Sequence, residues 1–172
     1  MSRLFPERQT IRLSQGTDLE KLKGRVTVIL PNRDVRYAVV PWHDALEGEA
    51  EEQAYLRHHF AKVHGERARG WAFRWSEGLA SAVDRSLLEK ITSNKSVVSI
   101  QPALMAAFNA ARAKIPAAGA WLVLAEEERA CVALYARDKW LAVQNARGSW
   151  EEVLQRERHR SAEDAQEVMH VQ

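Results

Sequence analysis

The chain has 172 residues and a mass of 19.5 kDa, with 46% apolar residues, 28% charged residues and a net charge of +2. This apolar content excludes intrinsic disorder, and the length suits one domain or two small lobes. Basic and acidic residues are interleaved, so the composition gives no reason to expect a nucleic-acid partner. The single cysteine, Cys131, excludes an internal disulfide.

No segment of the sequence is typical of membrane targeting or insertion. Residues 1–14 carry charges every few positions, and the longest uncharged run, 96–111, is interrupted by Gln101, Pro102 and Asn109. These patterns fit neither a signal peptide nor a membrane span. We therefore expect a cytoplasmic protein that does not insert directly into a membrane.

The first half of the chain predicts alternating strands and helices. Residues 10–14 alternate as an edge strand would, and the short Pro31-Asn32 turn predicts a hairpin between strands 25–30 and 34–40. A long helix is predicted over about 43–64, with a C-terminal cap at Gly65 and an apolar face of Leu46, Ala50, Gln53, Leu56, Phe60 and Val63.

Shorter elements follow before the middle of the chain. Asp84 is a suitable N-cap for a helix over 85–91, and Pro102 suits the start of a helix that ends near 115. Runs of apolar residues predict strands at 71–76, 80–83 and 97–100.

Residues 121–148 predict three consecutive antiparallel strands joined by short turns. The middle run, Ala130 to Ala136, is apolar at every position, as is typical of a strand buried on both faces. Ser149 then begins a helix that ends near Arg160, and residues 167–171 predict a last strand.

The order of these elements predicts an α/β fold with mixed sheets and flanking helices. Pro116 and Gly119 mark a boundary, which gives a first lobe of residues 1–116 and a second, incomplete lobe of residues 117–172. The second half has the pattern of a ribonuclease-H-like lobe: a meander, a crossover helix and a strand that rejoins the sheet. Two such lobes in tandem make the actin-like architecture.

Three stretches carry a resemblance to a known family: RVTVILPNRDVRYAVVPW, SAVDRSLLEKI and VVSIQPALMAAF, at 25–42, 81–91 and 97–108. They resemble the cytoplasmic actin-like domain of the inner-membrane platform protein of type II secretion (GspL-type) and its relatives in type IV pilus assembly (PilM-type). The resemblance covers roughly residues 25–171. It implies a truncated or degenerate actin-like fold and a non-catalytic scaffold role in a pilus or secretion apparatus. It also implies a position at the inner face of the inner membrane, through a membrane-anchored protein partner.

The sequence departs from the nucleotide-binding members of that architecture at one turn. Those members carry Asp-x-Gly near the phosphates, where the glycine admits backbone N–H groups and the aspartate orients hydrated Mg²⁺. The matching turn here, 125–129, has no glycine and contains Glu126, Glu127 and Glu128, which would repel a triphosphate. We expect no nucleotide, no other cofactor and no enzymatic activity. The alternative is a divergent ATPase or nuclease of the same fold.

Other candidate sites fail on spacing or context. His58, His59 and His64 do not share the spacing of three or four that one helix face needs to bind a metal. Two-metal nuclease chemistry would need acids along the inner strands, which are apolar here. The basic run 156–160 shares its helix with glutamates, which indicates a solvated face rather than a nucleic-acid site.

Six tryptophans are many for this length, and they give the interaction candidates Trp42, Trp71, Trp75 and Trp150. An incomplete second lobe would leave a strand edge uncovered, and proteins usually pair or cover such edges. We therefore expect docking to a membrane-anchored protein or to a second copy as a homodimer. Two alternatives remain open: the terminal segments cover the edge, or the chain is a stand-alone interaction domain.

Overall fold

A computed structural model describes residues 8–41 and 46–172. Four helices and ten strands lie within these ranges, in this order: β1 (Arg8–Arg12), β2 (Arg25–Leu30), β3 (Val35–Val39), α1 (Glu49–His64), β4 (Trp71–Ser76), β5 (Leu79–Asp84), α2 (Arg85–Thr92), β6 (Val97–Pro102), α3 (Ala103–Ala111), β7 (Ala120–Glu126), β8 (Arg129–Ala136), β9 (Lys139–Arg147), α4 (Trp150–Arg160) and β10 (Val168–His170). Within the described ranges, no helix is long and apolar enough to cross a bilayer.

The strands form three sheets. One is parallel, in the order β1-β2-β6, and one is antiparallel, in the order β3-β5-β4. The third, β10-β7-β8-β9, is mixed, because β10 joins β7 in parallel while the meander is antiparallel. The predicted α/β class with flanking helices is confirmed, although the strands of the first half divide into a parallel and an antiparallel sheet.

The predicted hairpin between strands 25–30 and 34–40 is wrong. β2 pairs with β1 and β6, whereas β3 pairs with β5 in the antiparallel sheet. A 3₁₀ turn, Asn32–Asp34, separates the two strands, and Asn32 is completely buried. Two strands joined by a short connection need not pair with each other. Here the connecting turn forms hydrogen bonds with Glu126 and Asn145, far along the chain.

The predicted central strand is confirmed. β8 lies between β7 and β9, and Cys131 and Val132 are fully buried. One face of this sheet packs against α3 and the other against α4, which explains why the strand is apolar at every position. Burial also raises the pKa of the Cys131 thiol far above its usual range, so the thiol stays protonated.

Helix α1 packs on the antiparallel sheet through Leu56 and Phe60, as predicted. Three residues predicted on the same buried face do not lie on it: Val63 is 80% exposed, Ala50 is also exposed, and Leu46 precedes the helix, which begins at Glu49. That part of the prediction is wrong. The Val63 side chain borders an open groove beside the sheet instead of the sheet itself. Gly65 ends the helix with a positive φ of 60°, as predicted, whereas the predicted helix start at residue 43 lies outside the described residues.

Both terminal segments add parallel edge strands, β1 to the parallel sheet and β10 to the mixed sheet. Because β10 is the last strand that the sequence predicts for the second lobe, the alternative in which a terminal segment covers the remaining edge stays a prediction. β1 pairs with β2, and β10 pairs with β7. The outer edge of β4 is also partly closed: the Gln53 side chain donates to the Phe73 carbonyl (3.0 Å) and accepts from its N–H (3.4 Å). An amide side chain thus takes the place of a neighbouring strand at this point.

The predicted lobe division at 116/117 stays a prediction. One hydrophobic cluster contains residues from both sides of it, including Leu79, Leu104, Leu122 and Tyr135.

Gly119 gives a direct test of the packing where the meander begins. It has a φ of +95°, and a Cβ there would lie 2.3 Å from the Cβ of Ala136. We expect Gly119→Ala to lower the free energy of unfolding by about 2 kcal/mol or more, since it adds backbone strain to overpacking. Gly70→Ala, which has open space around it, is the matched control. Urea denaturation with equal stabilities for the two variants would contradict the described packing.

Candidate functional site

A buried polar cluster at Asn32 joins the two halves of the chain. The Asn32 N–H donates to both carboxylate oxygens of Glu126, at 3.1 and 3.2 Å. The Asn32 carbonyl accepts from the Asn145 Nδ2 at 2.6 Å, and the Tyr37 hydroxyl lies 3.0 Å from the Asn32 Oδ1. The turn between β2 and β3 is therefore held by residues from β7 and β9.

Asn145 is itself fixed in orientation. Its Nδ2 also donates to the Val35 carbonyl at 2.9 Å, and its Oδ1 accepts from the Arg129 guanidinium at 2.9 Å. Burial, first of all, raises the pKa of Tyr37 well above its usual range, so this hydroxyl remains neutral. The cluster is thus a network of structural hydrogen bonds that includes one carboxylate, that of Glu126.

Glu126 has a role here that the sequence analysis missed. In the sequence analysis its turn is treated only as a group of carboxylates that would repel a triphosphate, and Glu127 and Glu128 are exposed. Glu126 instead supplies the anion that the backbone N–H of the Asn32 turn binds. The sequence signals for this cluster were modest: a Pro-Asn pair after a strand, and an asparagine within the apolar strand β9.

The histidines and carboxylates of the described residues form no metal-binding cluster. Within residues 8–41 and 46–172, no three His, Cys, Asp or Glu side chains are grouped so that they could hold a metal ion. His58, His59 and His64, considered for this role, lie along α1. The pKa of His59 and of His64 is lowered, in both cases mainly by burial and then by nearby cations.

Two open grooves flank the antiparallel sheet. The first, the sheet groove, has a volume of about 580 Å³. One wall is the face of β4 and β5 that is turned away from α1, and the opposite wall is formed by β6 and α3. Its walls are mainly apolar and also contain polar side chains. The residues that line it include Ala72, Ser81, Val83, Ile100, Met105 and Asn109.

The second groove, the helix groove, has a volume of about 520 Å³ and lies between α1 and α4, over β3 and β9. Its lining contains two arginines, Arg36 and Arg160, one carboxylate, Glu157, and the imidazoles of His59 and His64. The strongly exposed Val63 also lines it.

The tryptophan candidates are spread over the fold and do not form one surface. Trp42 lies outside the described residues. Trp71 is half-buried at the start of β4, where its ring meets the His64 ring edge-on at 5.1 Å and the Arg36 guanidinium lies 5.9 Å from its centroid. It thus supports two side chains that line the helix groove.

The other two candidates are also half-buried. The Trp75 Nε1 donates to the Val40 carbonyl at 2.9 Å, which ties β4 to the end of β3. Trp150, at the start of α4, stands perpendicular to the His170 ring at 4.6 Å. Each has an intramolecular role, and their assignment to an interface stays a prediction.

The sequence matches no protein-family model and no curated protein. Solved structures do match. The cytoplasmic domain of EpsL, an inner membrane component of the type II secretion system of Vibrio cholerae, has a TM-score of 0.55 at 14% identity, covering 86% of this chain and 61% of that one. This chain has the fold of the EpsL cytoplasmic domain. The fold to which the sequence resemblance pointed is therefore confirmed.

Two further structures are similar at lower scores. A Bacteroides thetaiotaomicron protein with an actin-like ATPase fold and unknown function has a TM-score of 0.49 at 12% identity, covering 77% of this chain and 52% of that one. The PilM-PilN type IV pilus biogenesis complex has a TM-score of 0.49 at 18% identity, covering 77% and 45%. The chain thus spans about half to three fifths of the length of the structures it matches.

We expect the Glu126 carboxylate to stabilise the fold. Glu126→Ala removes the acceptor of the buried Asn32 N–H and should lower the free energy of unfolding by about 1.5 kcal/mol or more, since this is a hydrogen bond to a charged group. Glu126→Gln keeps an acceptor and should cost less. Glu127→Ala changes an exposed neighbour and is the control. Denaturant titrations in which Glu127→Ala and Glu126→Ala lower the free energy of unfolding equally would contradict this role.

Proposed function

We propose that this chain is a non-catalytic docking scaffold of a type II secretion or type IV pilus-like assembly, held at the inner face of the inner membrane by a membrane-anchored protein. The observation that carries the proposal is the shared fold with the EpsL cytoplasmic domain, which belongs to an inner membrane component of such a system. The sequence resemblance to the same class of domain, noted above, points in the same direction.

The Asn32 cluster supports a non-catalytic role. A backbone N–H at the start of a turn is a natural binding site for a phosphate oxygen. In this chain the N–H of Asn32 is bound by Glu126, a carboxylate that would have to be displaced before a phosphate could approach. The buried thiol of Cys131 is likewise poorly placed to act as a nucleophile.

The sheet groove is the surface that we propose for the partner. Val83, Ile100 and Met105 supply apolar walls, while Ser81 and Asn109 supply hydrogen-bonding groups among them. An apolar centre with a polar rim is the usual anatomy of a protein interface. We therefore propose that a short, mainly apolar segment of the membrane-anchored partner occupies this groove.

Nucleotide binding separates the scaffold from the divergent ATPase. A site with a Kd of about 10 µM would stabilise the protein by about 2.7 kcal/mol in about 1 mM Mg-ATP. For a chain of this length that corresponds to a rise in Tm of about 5–10 °C. We expect a change in Tm of less than about 1 °C and no heat of binding in calorimetry. A saturable rise in Tm with Mg-ATP, together with a heat of binding, would favour the ATPase instead.

Membrane association tests the docking role. Ala72 lines the sheet groove opposite Val83, so Ala72→Trp places a large ring where the partner would lie. In cells that naturally produce the protein, we expect most of the wild type in the membrane fraction. We expect Ala72→Trp to weaken binding to the partner about tenfold or more, which corresponds to about 1.4 kcal/mol or more of lost binding free energy, and so to move a large part of the protein from the membrane fraction to the soluble fraction.

The matched control is Ala113→Trp, which adds the same ring at an exposed position beyond α3. It should leave the membrane share unchanged. Thermal melts of both variants check that they fold. A wild-type protein found wholly in the soluble fraction would contradict the membrane role, and equal losses for both variants would contradict the sheet groove as its surface.

A further inference from the structure

We propose that copies of this chain associate head to tail, with the acidic first turn of α1 in one copy docked in the helix groove of the next. This surface is separate from the sheet groove, so the proposal does not depend on the membrane-anchored partner.

The helix groove carries two arginines, Arg36 and Arg160, against one carboxylate, Glu157, so its lining has a net positive charge. Among the described residues, no carboxylate oxygen lies within 4.0 Å of a nitrogen of Arg36 or Arg160. The pKa of His64 is lowered mainly by burial and further by Arg36 and Arg67, so this imidazole adds less positive charge to the groove than the arginines do. A groove of this kind favours an occupant that brings carboxylates.

The groove also presents apolar surface. Val63 is 80% exposed on its α1 wall, and Leu141 and Val143 of β9 contribute to its floor. An isolated exposed valine is common on a protein surface, but here it borders a concave site. The occupant that fits therefore combines carboxylates with small or apolar side chains.

The opposite end of α1 has this composition. Glu49, Glu51 and Glu52 lie in its first turn, and Glu47 precedes it, with Ala50 exposed among them. Within the described residues, no basic side chain lies within ion-pair distance of these four carboxylates. The chain thus carries both members of a complementary pair of surfaces.

The two surfaces cannot meet within one molecule. They lie on a single continuous helix, and the ten residue steps from Glu49 to His59 keep those two positions about 15 Å apart at the usual rise per residue. Contact between them must therefore join different copies. Because the two contacting surfaces differ, the interface is heterologous, and repeated association produces either a ring or an open row of copies.

Light scattering and sedimentation test this association directly. At about 20 mM NaCl we expect the wild-type mass to rise with concentration up to about 200 µM, and at about 500 mM NaCl we expect a monomer, because salt screens the contact. The groove variant Arg36→Glu/Arg160→Glu and the helix variant Glu49→Lys/Glu51→Lys/Glu52→Lys should each weaken association about tenfold or more.

Mixing the two variants supplies the decisive measurement. Each variant alone brings like charges together, whereas a mixture pairs the acidic turn of the groove variant with the unchanged groove of the helix variant. The lysine-containing turn of the helix variant and the glutamate-containing groove of the groove variant are complementary as well. We therefore expect the mixture to regain association, with the two variants alternating.

The matched control is Lys114→Glu/Lys139→Glu, which makes the same change in net charge at exposed positions outside the groove. It should associate within about twofold of the wild type. Because Arg36 also donates to the Arg33 carbonyl, thermal melts check folding, and Arg160→Glu alone should still weaken association measurably.

A wild type that stays monomeric at low salt would overturn the proposal, as would a mixture that fails to associate or a control that weakens as much as the groove variant. Wild-type monomers that bind an unrelated glutamate-rich peptide in the groove would also overturn it, because the occupant would then be a different acidic protein.

Discussion

The fold depends on the need to satisfy one buried turn. The backbone at Asn32 lies at the centre of the molecule, where an unpaired N–H or carbonyl would cost about 1–3 kcal/mol. Its partners, Glu126 and Asn145, come from the mixed sheet far along the chain. These hydrogen bonds set the direction in which β3 leaves β2, place β3 beside β9, and so define the floor of the helix groove.

Local chemistry was sufficient to predict most of the elements. The unbroken apolar run of β8, the Asp84 cap and the Ser149 cap depend on residues within one turn or one strand, and the structure contains all three. Strand pairing is a different matter, because β2 lies between β1 and β6. The sequence favours β3 as the partner of β2, because β3 follows it directly. Which sheet a strand joins depends on which residues become buried together, and a short stretch of sequence does not show this.

The candidate surfaces were less predictable than the fold, for a related reason. Glu126 was recognisable as part of an acidic turn, but its hydrogen bond spans 94 positions. Val63 fits the helical spacing of a buried face, yet the sheet beneath α1 does not extend under it. Trp71 was identified by its type, whereas its contacts with Arg36 and His64 arise only because α1, β3 and β4 meet. Grooves are products of assembled elements, and no single element encodes them.

The antiparallel sheet and α1 are inserted between two neighbouring strands of the parallel sheet, β2 and β6. The insertion enters and leaves at adjacent points, because Val35 pairs directly with Val83. Closing a long loop costs conformational entropy, but a segment that folds by itself with its ends together shortens the effective loop. The far end of the insertion, at α1 and β4, can therefore vary in length more freely than its base, because Val35 and Val83 at the base pack with Val26 and Val28 of the parallel sheet.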